Sequence, residues 1–365
     1  MKHIKVVIGS NFGDEGKGLM THIFSKIATD DSVLNVLYNG GVQRGHTVNG
    51  HVFHCFGSGA FDGATTFYSE DFMVNPIGWN IETSELGYAP NLIIHPEARV
   101  TTPFDMEINR AIERQRGNSR HGSCGMGIFE TKHRTYNVPI YVKDLTDEYI
   151  LYKKLQEVKR YAEERCKELK LYFDISSISI DDFMVSSKKM IDHSKILGDE
   201  TLSLFDTVIY EAGQGLLLSQ SNMDYFPNLT PSFTGSEVIS FDINNAPKGA
   251  DTEICYVTRP YLTRHGAGRF DTECKKNEIN PFIVDKTNQP NEFQESLRFG
   301  YFDIDSFTDR VEWDFSFYKR PVTKSVAITQ LNYTDNKLVC KNSKEDVCKI
   351  TDNFDRSYLL DNEEF

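Results

Sequence analysis

The stretch VVIGSNFGDEGKGLM, residues 6–20, constrains the fold most strongly. Strand-forming residues, Ile4–Ile8, lead into a loop with four glycines, and a helical pattern follows over roughly residues 18–28. Such a strand–loop–helix unit points backbone N–H groups and the positive end of a helix at one spot, which suits a phosphate group. Lys17 adds a positive charge there. The unit predicts an α/β fold with a phosphate site at the end of its first strand.

Further strand patterns alternate with helical ones along the chain. These strand patterns are IKVVIGS, SVLNVLYNG, NLIIHP, FDTVIYEAGQG and KSVAITQLN. Continuous apolar runs of this kind are typical of buried parallel strands, and residues 145–170 have the pattern of an amphipathic helix. We therefore predict an α/β fold with a mainly parallel central sheet in a single domain, residues 1–365. It carries a helical insertion at about 100–200 and a mobile substrate loop at about 285–300, where turn-forming residues cluster.

The overall charge limits the possible partners. A net charge of −13 and a pI near 5.3 disfavour nucleic acid as a partner, while a small basic pocket for a phosphorylated metabolite remains compatible with them. No stretch approaches the ~18 apolar residues of a membrane span. Seven scattered cysteines without a CxxC pair indicate neither a disulfide framework nor a zinc site. We expect a soluble, cytoplasmic protein without a membrane partner.

The glycine loop also carries acidic residues. It is not a standard P-loop, because the pattern G-x-x-x-x-G-K-[ST] fails at Asn11 and at Gly18. A carboxylate at Asp14, among phosphate-binding amides, costs repulsion unless it binds Mg²⁺ or takes a proton from a substrate. A second glycine turn with His46, in residues 38–54, also follows a strand pattern, where ligands of α/β proteins collect. The alternatives are a generic glycine-rich turn, which does not explain the carboxylates inside the first loop, and a structural histidine, which is less favoured at a strand end.

The motifs resemble those of a known family. GDEGKG (13–18), GHT (45–47), YEAGQG (210–215), TRHGAGRFDTE (263–273) and NEF (291–293) have the order and approximate spacing found in adenylosuccinate synthetases. The resemblance spans roughly residues 4–335. It implies a C–N ligase of purine biosynthesis that phosphorylates the 6-oxygen of a purine nucleotide and then displaces the phosphate with the amino group of L-aspartate. It also implies Mg²⁺ and a homodimer with a shared active site.

The resemblance carries roles to individual residues. The implied catalytic residues are Asp14, as the base for the N1 proton, Lys17, His46, as general acid, and Gln214, which reads the 6-oxygen. The implied donor-nucleotide residues are Gly13, Glu15, Gly16, Lys17, Gly18, Gly45, Thr47, Gln330 and Asn332. The implied purine-nucleotide residues are Asn11, Asp14, Gln43, Ser123, Cys124, Gln214, Thr230, Ser232 and His265. Of these, Ser123, Cys124, Thr230 and Ser232 lie where the family holds the 5′-phosphate. The implied Mg²⁺ ligands are the Asp14 carboxylate and the Gly45 carbonyl.

The donor-base motif departs from the family pattern. The family has Thr-Lys-Leu-Asp where this chain has TQLN, which ends at Asn332. Aspartate accepts two N–H groups of guanine, whereas asparagine offers one acceptor and one donor, which fits adenine. We therefore expect ATP or dATP as the phosphate donor. The alternative is a partly exposed base with relaxed specificity.

Two further departures affect the substrate sites. QESLRFG replaces the arginine-rich aspartate loop and leaves Arg298 as the candidate that binds the aspartate carboxylate. GSCGMG replaces GTTGRG, so that Cys124 stands for a threonine and Met126 for an arginine. The arginine that the family receives from a neighbouring subunit has Arg134 as its nearest candidate.

These departures resemble the viral branch of the family, the 2-aminoadenylosuccinate synthetases, which use dGMP in place of IMP. A viral enzyme would act in the host cytoplasm. IMP stays open as the substrate, because this chain keeps Asp14, which some viral members replace. Two other classes share parts of the pattern. A P-loop kinase or GTPase would need Ser or Thr after Lys17, and a non-catalytic nucleotide-binding protein would not need both Asp14 and His46.

Overall fold

The computed structural model describes residues 1–28, 32–284 and 297–361. Within these ranges the strands are β1 (His3–Gly9), β2 (Val33–Leu37), β3 (His46–Val48), β4 (His51–Phe53), β5 (Thr65–Tyr68), β6 (Leu92–Ile94), β7 (Ser194–Ile196), β8 (Thr207–Gly215), β9 (Asp251–Thr258), β10 (Leu262–Arg264), β11 (Glu273–Cys274), β12 (Arg298–Gly300), β13 (Thr323–Ile328), β14 (Lys337–Cys340), β15 (Ser343–Asp346) and β16 (Arg356–Leu359). The α-helices are α1 (Lys17–Ile27), α2 (Pro76–Leu86), α3 (Pro103–Arg116), α4 (Ile128–Thr135), α5 (Glu148–Leu169), α6 (Ile180–Asp192), α7 (Ser236–Asn245), α8 (Lys276–Ile279), α9 (Ile304–Phe315) and α10 (Cys348–Thr351).

A parallel sheet forms the centre of the fold. Among the described residues it has nine strands in the order β16-β13-β9-β1-β8-β2-β5-β6-β7. Strand β1 pairs in parallel with both β8 and β9. The predicted α/β fold with a mainly parallel sheet is therefore confirmed. Because the strands are parallel, the loops after β1, β2, β8, β9 and β13 meet at one edge of the sheet, where ligands of such folds bind.

Both faces of the sheet are covered, which explains the continuous apolar runs. Val7 of β1 packs with Met20 and Phe24 of α1 on one face. Val6 packs with Val311 of α9 on the other. Strand β1 is thereby fixed from both sides, and the glycine loop that follows it has a rigid support.

A helical layer lies beside the sheet. The predicted amphipathic helix over residues 145–170 is α5, whose apolar face is buried and whose first turn is capped by Asp147. Helix α3 begins with a capping box formed by Thr102 and Asp105. The predicted substrate loop lies outside the described residues apart from residues 297–300. In the part of the chain that the structure describes, no helix is long and apolar enough to cross a membrane.

Candidate active site

Glu15 shapes the glycine loop from within. Its buried carboxylate accepts hydrogen bonds from the backbone N–H groups of Asn11 at 2.9 Å and Gly13 at 2.8 Å, and from Nζ of Lys17 at 2.9 Å. Burial alone would raise the pKa of Glu15, but Lys17 and the N–H groups outweigh it and the pKa is lowered. Glu15 is thus ionised and holds both the loop and Lys17 in place.

Asp14 lies at the tip of the same loop and faces outward. Its φ of 61° is in the left-handed region, which costs a non-glycine residue roughly 1–2 kcal/mol. Its side chain is 21% exposed, and Oδ2 lies 3.4 Å from Nε2 of His265. Strained backbone of this kind is found at functional sites, where the surroundings hold it in place. The loop therefore uses Glu15 for its own structure and presents Asp14 to the edge of the sheet.

His46 belongs to a buried network of charges. Its Nδ1 lies 2.5 Å from Oε1 of Glu211 and 2.5 Å from Nη2 of Arg44, and these two side chains form an ion pair at 2.7 Å. Ser58 donates hydrogen bonds to the same carboxylate from Oγ and from its backbone N–H. Neither Glu211 nor Arg44 was predicted from the sequence as a site residue. The signal for Glu211 was a carboxylate within the apolar pattern of β8.

The network sets the charge of the histidine. Burial and Arg44 lower the pKa of His46 to about 4, although Glu211 opposes them. Burial would raise the pKa of Glu211, but Arg44 and His46 lower it to about 2. The buried Nε2 of His46 has no hydrogen-bond partner among the described residues. At neutral pH the ring is therefore neutral and positioned by Nδ1, and Nε2 is left for a ligand.

Gln43 and Gln214 form a pair of buried amides. The side-chain oxygen and nitrogen of both residues lack hydrogen-bond partners among the described residues. The two amides meet at Gly40, where a Cβ would lie 2.8 Å from Nε2 of Gln43 and 3.0 Å from Oε1 of Gln214. Gly40 also has a φ of +70°, which favours glycine. Unpaired buried polar groups cost about 1–3 kcal/mol each, so the pair is better explained by a polar ligand than by the fold.

The segment predicted to read the donor base lies beside the glycine loop. Oγ1 of Thr329 donates a hydrogen bond of 2.7 Å to the carbonyl of Glu15. Gln330 has a φ of 63° and its backbone N–H donates to the carbonyl of Asp361 at 2.8 Å. Asn332 is exposed, so its position fits both an adenine-reading role and a partly exposed base. The other predicted donor residues lie on the glycine loop, in the first turn of α1 and at the start of β3: Gly16, Gly18, Gly45 and Thr47.

The residues predicted to hold the 5′-phosphate lie on two adjacent loops. Oγ of Ser123, before α4, is hydrogen-bonded to the Asn109 side chain at 2.8 Å. Burial raises the pKa of Cys124 to about 11, so its thiol is neutral and does not repel an anion. Thr230 and Ser232 lie on the loop before α7. Nδ2 of Asn228, in that loop, donates to the carbonyl of His121 at 3.0 Å, and the structure thus brings the two loops together.

The position of Arg134 contradicts its predicted role as the arginine supplied to a neighbouring subunit. It is fully buried, with Nε 2.8 Å from Oδ1 of Asp105 and Nη2 2.7 Å from the carbonyl of Val100. Its guanidinium therefore anchors α4 to α3 inside its own subunit. The interpretation of Arg134 as an arginine that reaches a neighbouring subunit is wrong.

Asn11 and Arg298 have partners within the chain. The Asn11 amide donates to Oγ1 of Thr258 at 2.9 Å and accepts from Nη2 of Arg310 at 2.7 Å. Arg298 forms a two-point ion pair with Glu273, at 2.8 Å and 2.5 Å. For Asn11 this geometry favours positioning the loop over contacting a purine. For Arg298, an incoming aspartate carboxylate would have to replace Glu273.

Comparison with known proteins identifies the family. The adenylosuccinate synthetase family model matches residues 6–316, which is most of the chain. The chain belongs to the adenylosuccinate synthetase family. It is therefore a member of a family of C–N ligases, as the motifs predicted.

Relatives show how far this similarity extends. Adenylosuccinate synthetase of Halothermothrix orenii is 28% identical over 304 residues, which cover 78% of this chain and 68% of the relative. The Cyanothece sp. enzyme is 32% identical over 306 residues, which cover 77% of this chain and 65% of the relative. The chain thus spans about two thirds of the length of these adenylosuccinate synthetases.

Two solved structures share the fold. Fully ligated adenylosuccinate synthetase from Plasmodium falciparum has a TM-score of 0.74 at 18% identity and covers 91% of this chain and 78% of its own. The succinoaminodeoxyadenylate synthetase of cyanophage S-2L, bound to dGMP and dATP as an energy donor, has a TM-score of 0.61 at 14% identity and covers 91% of this chain and 86% of its own. At these identities the two structures show the fold alone.

Proposed function

We propose that the protein joins L-aspartate to C6 of a 6-oxopurine nucleotide through a 6-phosphoryl intermediate. The proposal rests on the pair of unsatisfied amides, Gln43 and Gln214, at the sheet edge that also carries Asp14 and His46. A purine edge offers donors and acceptors to such amides. Gly215, next to Gln214, packs against the carbonyl of Asn11, so the end of β8 lies against the glycine loop.

Asp14 and His46 have separate tasks in this reaction. A 6-oxopurine is a poor nucleophile until N1 loses its proton, and the partly exposed Asp14 carboxylate is the base for that proton. The Gln214 amide donates to the 6-oxygen and stabilises the charge that develops there. A phosphoryl group beside Nε2 of His46 favours the protonated ring, so binding itself prepares His46 to donate to the transferring group.

The residues at the tip of the loop fit Mg²⁺. This ion is usually held by one or two carboxylates together with substrate phosphates. Asp14 supplies a carboxylate whose ion-pair partner, in the described residues, is His265. The Gly45 carbonyl is the second ligand that we propose. When bound, Mg²⁺ would neutralise charge on the phosphates of the donor.

We propose dGMP as the purine substrate and ATP or dATP as the donor. Asn332 supports an adenine donor, and the cyanophage enzyme with dGMP and dATP shares the fold. IMP is the second candidate, because Asp14 is retained and the curated relatives are adenylosuccinate synthetases. Both purines carry the N1–H and the 6-oxygen on which the chemistry depends. We also propose a homodimer.

A phosphate-release assay separates these candidates. The enzyme receives Mg²⁺, L-aspartate and ATP with either dGMP or IMP, and both reactions are repeated with GTP. We expect release with dGMP and ATP, and mass spectrometry should show the succinylated product. Release with IMP alone would overturn dGMP as the substrate, and no release in any reaction would overturn the ligase proposal. Each reaction without aspartate serves as the control.

A further inference from the structure

Lys132 on α4 is a half-buried cation with neutral partners. Its Nζ donates to Oε1 of Gln220 at 2.7 Å and to the carbonyl of Pro231 at 2.8 Å. Among the described residues, no carboxylate lies within ion-pair distance of this ammonium. Burial and the charge of Arg99 lower its pKa, and the more distant Asp71 opposes them. Half-buried charges are normally paired, so the position favours an anionic ligand.

The location of Lys132 indicates which anion would fit. Pro231 lies between Thr230 and Ser232, and the loop before α4 carries Ser123. The loop with Thr230 and Ser232 therefore contacts α4 through Lys132, and it contacts the loop before α4 through the bond between Asn228 and His121. Hydroxyl groups on both loops, with an ammonium bonded to the loop of Thr230 and Ser232, suit a phosphate group.

We infer that Lys132 binds the 5′-phosphate of the purine nucleotide within its own subunit. This inference rests on the proposed function. An ammonium has three N–H donors, and two of those on Nζ of Lys132 are engaged by Gln220 and Pro231. The third is left for the ligand. Lys132 then supplies a positive charge for the phosphate. Met126 is neutral, and the guanidinium of Arg134 is already paired with Asp105.

Binding of nucleotides and nucleosides tests the inference. Dissociation constants are measured by calorimetry for dGMP and deoxyguanosine, and for IMP and inosine, with the wild-type protein and with Lys132→Gln. We expect the variant to bind the nucleotide roughly 10- to 100-fold more weakly and the nucleoside equally well, as for the loss of one charge-assisted contact. Lys132→Arg should recover most of the affinity. Lys143→Gln, which removes an exposed lysine paired with Glu97, is the matched control.

Several results would overturn the inference. A wild-type ratio of nucleotide to nucleoside affinity in Lys132→Gln would show that the ammonium does not contact the phosphate. An equal loss of both ligands would show that Lys132 only supports the loops. If the wild-type protein binds nucleotides but releases no phosphate with aspartate, the ligase proposal fails and the role of Lys132 is still decided by these affinities. If it binds no nucleotide, both fail.

Discussion

Replacing Glu211 by glutamine tests the network behind His46. Glu211 is fully buried, and its carboxylate is shared by Arg44, His46 and Ser58. Glu211→Gln keeps the shape and one acceptor oxygen but removes the charge. The Arg44 guanidinium, which is also fully buried, would then lack a counter-charge.

The structure allows an estimate of the effect. Breaking a buried ion pair on one side costs about 3–5 kcal/mol, because the other charge stays buried and uncompensated. The glutamine oxygen can still accept from Ser58, so we expect a loss of about 3 kcal/mol in the free energy of unfolding. Removal of both charges in Arg44→Met/Glu211→Gln should recover most of this loss, since a buried pair replaced by neutral groups is often nearly neutral. Both variants should lose phosphate release, because Nδ1 of His46 loses its charged partner.

Urea unfolding of the wild type, the two single variants and the double variant gives the coupling energy of the pair. A Glu211→Gln variant within about 0.5 kcal/mol of the wild type would refute the reasoning, since that is the size of an ordinary surface substitution. A double variant that is as unstable as the sum of the single variants would also refute it. In that case the two charges act independently.

Three further predictions concern single residues. Asp14→Asn should abolish phosphate release and leave the melting temperature unchanged, because asparagine tolerates the left-handed backbone at this position. Burial and Asp199 raise the pKa of Asp242 from 3.8 to about 6. The protonated carboxyl group is therefore favoured in the folded state, and the stability that it contributes is fully present below pH 3.8 and is lost as the pH rises through 6. Asp242→Asn should therefore raise the melting temperature at pH 8 but not at pH 3.5, and an equal shift at both would contradict this. Asn332→Asp should shift kcat/KM from ATP towards GTP by about 10-fold or more, and an unchanged ratio would support a partly exposed donor base.

Strands and helices could be predicted from the sequence where the residues that determine them are neighbours in the chain. Strands β1 and β8 are continuous apolar runs, and α5 is a long amphipathic pattern, so neighbouring residues decide their structure. The glycine loop was also predictable, because glycines, a lysine and carboxylates lie within a few residues of one another. The family motifs named Asp14, His46 and Gln214 for the same reason.

Side-chain partners could not be predicted, because they come from distant parts of the chain. His46 and Glu211 are 165 residues apart, and Asn11 and Arg310 are 299 apart. The spacing of residues contains no information on such pairs. The error over Arg134 has the same origin, since Asp105 lies on another helix. A charged residue within a buried strand pattern, as at Glu211, is the signal that could have revealed a network.

The pairing of charges predicts how the two nucleotides depend on Mg²⁺. Lys17 is neutralised by Glu15 and Arg44 by Glu211, whereas the Asp14 carboxylate at the edge of the site has only the His265 ring as its ion-pair partner in the described residues. A bound triphosphate would be repelled by the Asp14 carboxylate, and the glycine loop has no unpaired positive charge to offset this repulsion. The affinity for the donor nucleotide should therefore depend on Mg²⁺. The purine nucleotide can instead use the neutral amides. We expect chelation of Mg²⁺ by EDTA to weaken ATP binding by at least about 10-fold more than dGMP binding in calorimetry, since the ion offsets charge that the loop does not. An equal loss of affinity for ATP and dGMP would show that Lys17 breaks its ion pair with Glu15 and binds phosphate. The Lys17–Glu15 pair would then not determine the Mg²⁺ dependence of donor binding.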